Sequence, residues 1–199
     1  MATGRQPETS FTPRPPMLAY IVLILAALSR LLPHAFHGTG LNFTAVGAGL
    51  LFFGARRPRW QAAAALAVMA LTDIYLTRAV YGMPFHVHEY VVTWAWYAAV
   101  CLLAGSLLRK VTVLRVAGGV VASATSFFLL SNFADWVGSG RYPHSAAGLG
   151  ACYVAALPFY ANDLISTTLV AGVLFGLPAL AARLTESLQA TQGGNHPLA

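Results

Sequence analysis

Six runs of apolar residues, separated by short polar stretches, make up most of this 199-residue chain. They occupy residues 17–32, 41–55, 60–77, 90–108, 116–134 and 164–182. A helix needs about 20 apolar residues to cross the hydrocarbon core of a bilayer, and most of these runs come near that length. The pattern therefore predicts an all-α, polytopic membrane protein with six transmembrane helices.

A seventh apolar stretch, residues 146–157, is short and is followed directly by Pro158. This length is typical of an interfacial or re-entrant helix, so we expect a short interfacial helix before the last span. The expected domain organisation has three parts. Residues 1–16 form a disordered cytoplasmic tail, residues 17–183 a single six-helix transmembrane domain, and residues 184–199 a cytoplasmic C-terminal tail.

Composition excludes a conventional water-soluble domain. Hydrophobic residues make up 57% of the chain and charged residues 9%, whereas soluble domains carry roughly 25% charged residues. The net charge of +6 does not indicate a nucleic-acid partner, because the basic residues are spread along the chain and do not form one patch. The expected surroundings are the lipid bilayer.

The basic residues predict the orientation of the helices. Of the 12 Lys and Arg residues, only Arg30, Arg78 and Arg141 flank the predicted spans on one side, and all the others lie on the opposite side. Basic residues accumulate on the cytoplasmic side of membrane proteins. We therefore expect a multi-pass protein of the inner (cytoplasmic) membrane with both termini in the cytoplasm, which agrees with an even number of spans.

Small residues spaced four apart indicate where helices approach closely, because lipid provides no hydrophobic drive for helix association. Such pairs occur in three of the predicted helices: Ala45 with Gly49, Gly118 with Ala122, and Gly172 with Gly176. These pairs predict a tight bundle and no particular function.

Polar side chains concentrate on the predicted outer side. Histidines are placed there at five positions: His34, His37, His86, His88 and His144. The outer acids are Asp73, Glu89, Asp135 and Asp163, and the accompanying aromatic residues include Phe85, Tyr90, Trp136 and Tyr142. Imidazole, carboxylate and aromatic groups together are typical of a ligand-binding cup.

The loop at residues 81–90 is the densest part of this side. In an extended loop, His86 and His88 point the same way and face a metal or cofactor together, whereas on a helix they diverge. The alternative is that these histidines lie at the headgroup level as interface residues. Both readings remain open at this point.

The carboxylates and their neighbours also have two readings. Asp73 lies in the last turns of the third predicted helix, where an acid is either a functional group or the partner of Arg30 or Arg78 in a salt bridge. Asn132, Asp135 and Trp136 share one helix face, which either points into the cup or anchors the helix at the interface. Asp163 is interpreted mainly as the N-cap of the last helix.

Catalytic patterns are largely absent. The chain has no HExxH, GxSxG, CxxC or nucleotide-binding glycine loop, and Cys101 and Cys152 form neither a zinc pattern nor a disulfide framework. We therefore expect no enzymatic activity, with one alternative. An intramembrane reaction is conceivable through a carboxylate and histidine pair such as Asp73 with His86.

An ordered series of motifs resembles a known bacterial family of transport proteins. The motifs are SRLLPH at 29–34, NFTAVGA at 42–48, LTD ending at Asp73, SNFADW at 131–136 and YPHSAAGLGACYVAALPFYAND at 142–163. That family is similar to the substrate-binding S components of energy-coupling-factor (ECF) vitamin transporters, and one of its branches is the BtuM-like solitary cobalamin transporters. The resemblance extends over residues 29–180.

The resemblance implies an S-component-like fold that captures cobalamin, a cobalt-containing substrate, near the extracytoplasmic surface. This chain has no cysteine in the loop after the third predicted helix. The resemblance therefore implies His86, or failing that His88, as the axial cobalt ligand. Polar contacts to the corrin side chains are expected from His34, Asn42, Asp73, Asn132 and Tyr142, and packing on the ring from Tyr90 and Trp136. Phe85 and Asp135 complete the expected ligand-binding set.

The resemblance also predicts the partners of the protein, and the paired histidines leave other substrates open. The first helix lacks the AxxxA motif with which many S components dock to their ECF-type partner, so solitary operation without an ATPase module is favoured. Alternative substrates are haem, another vitamin or a transition metal ion. A further alternative is an enzyme acting on a bound cofactor.

Overall fold

The computed structural model describes residues 16–32 and 43–193, which are helical apart from short connections. The helices are α1 (Pro16–Leu28), α2 (Val46–Arg56), α3 (Ala62–Tyr75), α4 (Val87–Leu107), α5 (Val113–Gly138), α6 (Ala146–Ala171) and α7 (Leu177–Gly193). Short 3-10 turns extend α1 (Ser29–Leu31) and precede α3 (Arg59–Gln61), and π-helical turns follow α3 (Leu76–Val80) and join α6 to α7 (Gly172–Gly176). The all-α prediction is confirmed.

Four helical stretches are long and apolar enough to cross a membrane, which indicates a membrane protein. They are Arg59–Val80, Val87–Leu107, Val113–Gly138 and Ala146–Gln189. The two remaining apolar helices, Met17–Leu31 and Val46–Arg56, are shorter than the length of a full span. Each of the six predicted apolar runs thus contains a helix. In the part of the chain that the structure describes, only four helical stretches reach the length of a membrane span.

The outer surface of the bundle differs from that of a soluble protein. Large apolar residues such as Leu71, Leu103 and Leu169 are well exposed on the outside of the bundle. Several polar side chains, including Asp73 and Thr167, are almost completely buried. This arrangement suits a surrounding of lipid chains, against which apolar side chains carry no cost and polar groups must find partners inside.

The predicted interfacial helix at residues 146–157 is wrong. Helix α6 begins after Ser145, whose Oγ accepts a hydrogen bond from the backbone N–H of Gly148 at 3.1 Å, and it continues through Pro158 without a break. Proline removes one backbone donor, and membrane helices tolerate this loss better than soluble ones. The reading of Asp163 as an N-cap is wrong for the same reason, because this residue lies inside α6.

The helix that contains α6 and α7 is longer than a bilayer is thick. Its 44 residues, Ala146–Gln189, extend over roughly 66 Å at 1.5 Å per residue, about twice the hydrocarbon thickness. The polar end of this stretch carries Arg183 and Glu186, so α7 projects from the bundle. The segment predicted as a C-terminal tail is accordingly helical as far as Gly193, and residues 1–15 and 194–199 lie outside the described residues.

Helix α2 is the centre of the bundle, with every residue from Val46 to Gly54 buried. It packs against α1, α4, α5 and α6. Its small residues make this possible, since a Cβ at Gly49 would overlap Ala26 of α1 and a Cβ at Gly54 would overlap the Cys101 carbonyl of α4. The start of α2 is also tied to α1, because the backbone N–H of Ala45 donates to Ser29 Oγ at 2.8 Å.

We expect Gly54→Ala to destabilise the protein by roughly 1–3 kcal/mol, since the added methyl group forces α2 away from α4. The matched control is Gly118→Ala on α5, where a Cβ would have nothing within 4 Å. That change should be neutral or slightly stabilising because alanine favours helix. Thermal unfolding of the two variants in detergent measures the difference. Equal melting temperatures would contradict the close packing of α2 on α4.

Candidate functional site

The candidate site is a cavity of about 270 Å³ inside the bundle. It lies toward the end where α1, α3 and α5 finish and α2, α4 and α6 begin, which we call the Arg30 end. All six of these helices contribute to its walls. The lining residues are Arg30, Thr44, Val46, Gly47, Asp73, Glu89, Tyr90, Thr93, Trp96, Tyr97, Phe127 and Asp163.

An ion pair between α1 and α3 forms one wall of the cavity. Arg30 Nη2 donates to Asp73 Oδ1, and the Asp73 side chain is only 1% exposed. The second carboxylate oxygen, Oδ2, accepts a hydrogen bond from Trp94 Nε1 of α4 at 2.8 Å. Both oxygens of Asp73 are therefore engaged, and this one carboxylate links three helices. The sequence offered Arg30 and Arg78 as salt-bridge partners of Asp73, and the structure pairs Asp73 with Arg30.

A second contact fastens the end of α3 to the start of α4. Thr77 Oγ1 donates to the backbone carbonyl of Asp73 at 2.8 Å, and the same oxygen is hydrogen-bonded to the Tyr90 hydroxyl. Because the Thr77 proton is already used, the Tyr90 hydroxyl is the donor in that bond. Tyr90 thereby holds its ring at the cavity wall.

Two buried polar atoms beside the cavity have no hydrogen-bond partner in the described residues. One is Arg30 Nη1, the guanidinium nitrogen not used for Asp73. The other is Ser123 Oγ on α5, whose residue is 4% exposed. A Cβ at Gly47 would lie 3.1 Å from Ser123 Oγ and 2.9 Å from Thr167 Oγ1, so only glycine leaves room at this wall. Buried polar groups normally find a partner, so both atoms are exceptions, and Arg30 is the one of the two residues that lines the cavity.

Asp163 of α6 forms the far side of the cavity and is half-buried. Its Oδ1 accepts a weak hydrogen bond from Thr167 Oγ1 at 3.4 Å. Within the described chain, no basic side chain lies within ion-pair distance of this carboxylate, in contrast to Asp73.

Aromatic side chains cover much of the remaining wall. Trp96 of α4 and Phe127 of α5 lie with ring centroids 4.7 Å apart, and Trp96 Nε1 donates to Ser126 Oγ at 2.9 Å. Tyr97 lies next to them and is 4% exposed. The cavity thus combines charged groups with large aromatic surfaces, a combination that is typical of small-molecule sites.

A stack of three rings leads from the cavity to the surface. Phe85 packs on Tyr90 at 4.8 Å with an interplanar angle of 17°, and its centroid lies 6.2 Å from that of Trp94. Trp94 is the indole that donates to Asp73. The predicted residues Phe85, Tyr90 and Asp73 are therefore brought together by the structure.

His86 and His88 lie at the surface beside this stack. His86 precedes α4 in extended conformation and His88 is in the first turn, with ring centroids 5.7 Å apart. His86 Nδ1 lies 3.4 Å from Glu89 Oε1, and both side chains are about half exposed. The described residues contain no group of three or more His, Cys, Asp or Glu side chains placed to hold a metal ion. Metal ligation by the two histidines stays a prediction.

The proposed pairing of Asp73 with His86 for catalysis is not formed. Asp73 is engaged by Arg30 and Trp94, while His86 faces Glu89.

The predicted contacts on α5 belong to a different place, the α5–α6 connection. Asn132 Nδ2 donates to the Phe128 carbonyl at 2.7 Å, and Trp136 Nε1 donates to the Pro143 carbonyl at 2.9 Å. Asp135 pairs with Arg141, and this hydrogen bond raises the pKa of the guanidinium. Asp135 and Trp136 thus close the connection, whereas the Asn132 bond lies within α5, and neither these three residues nor Tyr142 lines the cavity.

His34 and Asn42 lie outside the described residues. The structure adds to the predicted site Arg30, Thr93, Trp96, Tyr97, Phe127 and Asp163. A signal for two of these was present in the sequence, since Arg30 and Asp163 are charges inside or beside apolar runs. The aromatic residues carried no such signal, because the apolar helices of a membrane protein carry aromatic side chains on all of their faces.

The chain belongs to a family of unknown function, DUF6580, whose profile matches residues 9–189. No curated protein and no solved structure matches the chain.

We expect Asp73→Asn to cost roughly 3–5 kcal/mol of folding free energy, because it leaves Arg30 charged, buried and unpaired. The control is Asp135→Asn, which removes the exposed pair with Arg141 and should cost about 1 kcal/mol or less. Chemical or thermal unfolding in detergent compares the two. The double variant Arg30→Gln/Asp73→Asn should recover part of the loss, and strictly additive effects would show that the two side chains do not act as a pair.

Proposed function

We propose that this DUF6580 protein is a membrane transport or substrate-capture protein that binds a small molecule in the cavity at the Arg30 end. One observation carries the proposal: a cavity of about 270 Å³, partly open to the surface, is lined by six helices and by the guanidinium of Arg30, whose Nη1 has no hydrogen-bond partner in the described residues. Ionisable groups inside a membrane bundle are costly and typically mark substrate or ion pathways.

The packing around the cavity supports binding rather than a purely structural role. Gly47 lines the cavity without a side chain, and any larger residue there would clash with Thr167 and crowd Ser123. Elsewhere the bundle is filled by small and apolar side chains. A bundle with no ligand gains nothing from a polar void, because its lining atoms lose packing contacts.

The orientation completes the proposal. The distribution of Lys and Arg supports an inner-membrane protein with both termini in the cytoplasm, and in this orientation the Arg30 end faces away from the cytoplasm. The ligand enters there and is carried inward, with or without a partner that supplies energy.

Filling the cavity tests the proposal. Thr93 lines it and is half-buried, so Thr93→Phe should occupy the space without adding charge. Ligand binding is measured as a rise in melting temperature of the purified chain, using a panel of cationic, anionic, zwitterionic and neutral water-soluble metabolites together with hydroxocobalamin. We expect at least one member to stabilise the wild type and to lose this effect in Thr93→Phe.

The matched control is Thr168→Phe, which places the same side chain on the exposed face of α6. This variant should bind as the wild type does. A panel in which no member stabilises the wild type, or in which Thr93→Phe binds normally, would show that the cavity is not a ligand site.

A corrinoid is the second candidate ligand, and the adjacent exposed rings of His86 and His88 favour it. Histidine nitrogen is a common ligand for transition metals. The cavity lies just below the roughly 300–1,000 Å³ of drug-sized ligand sites, and a corrin is larger than such ligands. A corrinoid would therefore rest at the surface beside the Phe85 stack, outside the cavity.

Hydroxocobalamin tests this candidate, because the ligand on its cobalt is exchangeable. We expect binding with a shift of the visible absorbance in the wild type and loss of that shift in His86→Ala. His144→Ala, which removes another exposed histidine from the same end, should leave it unchanged. An identical shift in His86→Ala, or none in the wild type, would exclude axial ligation by His86.

A further inference from the structure

The charges that line the cavity do not balance. Among the lining residues that the structure describes, one guanidinium, that of Arg30, accompanies three carboxylates, those of Asp73, Glu89 and Asp163. Arg30 and Asp73 neutralise each other as an ion pair. Glu89 is more than half exposed beside His86, where solvent screens it. Asp163 is therefore left as the uncompensated charge on the inner wall.

Asp163 has unusually little support for a carboxylate at this depth. Its one side-chain hydrogen bond in the described chain comes from Thr167 at 3.4 Å, near the upper limit for such a bond. A carboxylate removed from water needs a cation or several donors to offset its desolvation. The described residues supply Asp163 with neither a cation nor several donors. Asp73, in contrast, is paired with Arg30 and accepts a hydrogen bond from Trp94.

Aromatic side chains line the same cavity as this carboxylate. They are Tyr90, Trp96, Tyr97 and Phe127. The faces of aromatic rings attract cations, and the attraction grows when the cation is desolvated. An anionic ligand would meet the uncompensated carboxylate of Asp163, whereas the guanidinium of Arg30 is already paired with Asp73, so the lining disfavours it.

We propose that the cavity selects a compact organic ammonium ion, with Asp163 as its counter-charge and the Trp96 and Phe127 rings as its packing surface. This inference rests on the proposed function and specifies its substrate class. Arg30 remains paired with Asp73, which leaves Asp163 to balance the charge of the ligand. The volume of about 270 Å³ suits a small ammonium compound.

Probes of one shape and different charge test the inference with the full chain in detergent. The cation is choline, the neutral isostere is 3,3-dimethyl-1-butanol, and the anion is 3,3-dimethylbutanoate. Titration by isothermal calorimetry, with tryptophan fluorescence as a second readout because Trp96 lines the site, gives the affinities. We expect choline to bind about tenfold or more tightly than either isostere.

Two variants assign the effect to the site. Asp163→Asn keeps the shape of the side chain and should weaken choline binding about tenfold or more, with little change for the neutral isostere. Glu186→Gln, which removes an exposed carboxylate from α7, is the control and should change nothing. If Asp163→Asn does not fold, Phe127→Leu replaces it, and the preference of choline over its neutral isostere should fall.

The outcomes separate this inference from the proposed function. If choline fails to bind, or binds no better than its isosteres, while a neutral or anionic member of the metabolite panel binds and is excluded by Thr93→Phe, the ammonium inference is wrong and the proposed function stands. If choline binding survives Asp163→Asn and Phe127→Leu unchanged, the inference is also wrong. If nothing in either panel binds, both fail.

Discussion

The ion pair between Arg30 and Asp73 is the constraint on which the Arg30 end of the bundle depends. A buried pair adds little net stability, but each partner makes the other indispensable, since either one alone is a desolvated charge. The pair fixes the end of α1 against the end of α3, and Trp94 adds the start of α4 through the second oxygen of Asp73. These three helix ends hold the cavity open on one side, so folding and the proposed binding site share the same contacts.

The other side of the cavity depends on α2, a helix too short to span a membrane by itself. Its burial is possible because Gly49 and Gly54 bring it into backbone contact with α1 and α4. In lipid, such close contacts replace the hydrophobic drive that packs soluble helices. Gly47 allows the same close approach on the side of α5 and α6, where a Cβ would lie 2.9 Å from Thr167 Oγ1 and 3.1 Å from Ser123 Oγ. Three glycines of α2 thus bring this helix close to its neighbours on three sides.

Much of the architecture could be predicted from the sequence, because apolar run length reports directly on membrane helices. What could not be predicted depends on which helices become neighbours. Pro158 looked like a helix end, yet a membrane helix carries a proline through its middle. Asp163 was consequently misread as a cap. Asp135 was expected in the cup, but its nearest partner is a loop arginine. Gly172 and Gly176 have the spacing of a helix contact, and neither approaches another part of the described chain.

The surface histidines and the cavity, which suggest different ligands, are physically joined through α4. His86 directly precedes this helix, and the neighbouring Phe85 stacks on Tyr90. The Tyr90 hydroxyl is hydrogen-bonded to Thr77, which in turn donates to the backbone carbonyl of Asp73. The stacking contact of Phe85 thus connects through Tyr90 and Thr77 to Asp73, the carboxylate that pairs with Arg30 at the cavity wall. The ring stack is accordingly the element through which a ligand arriving from outside would reach the cavity.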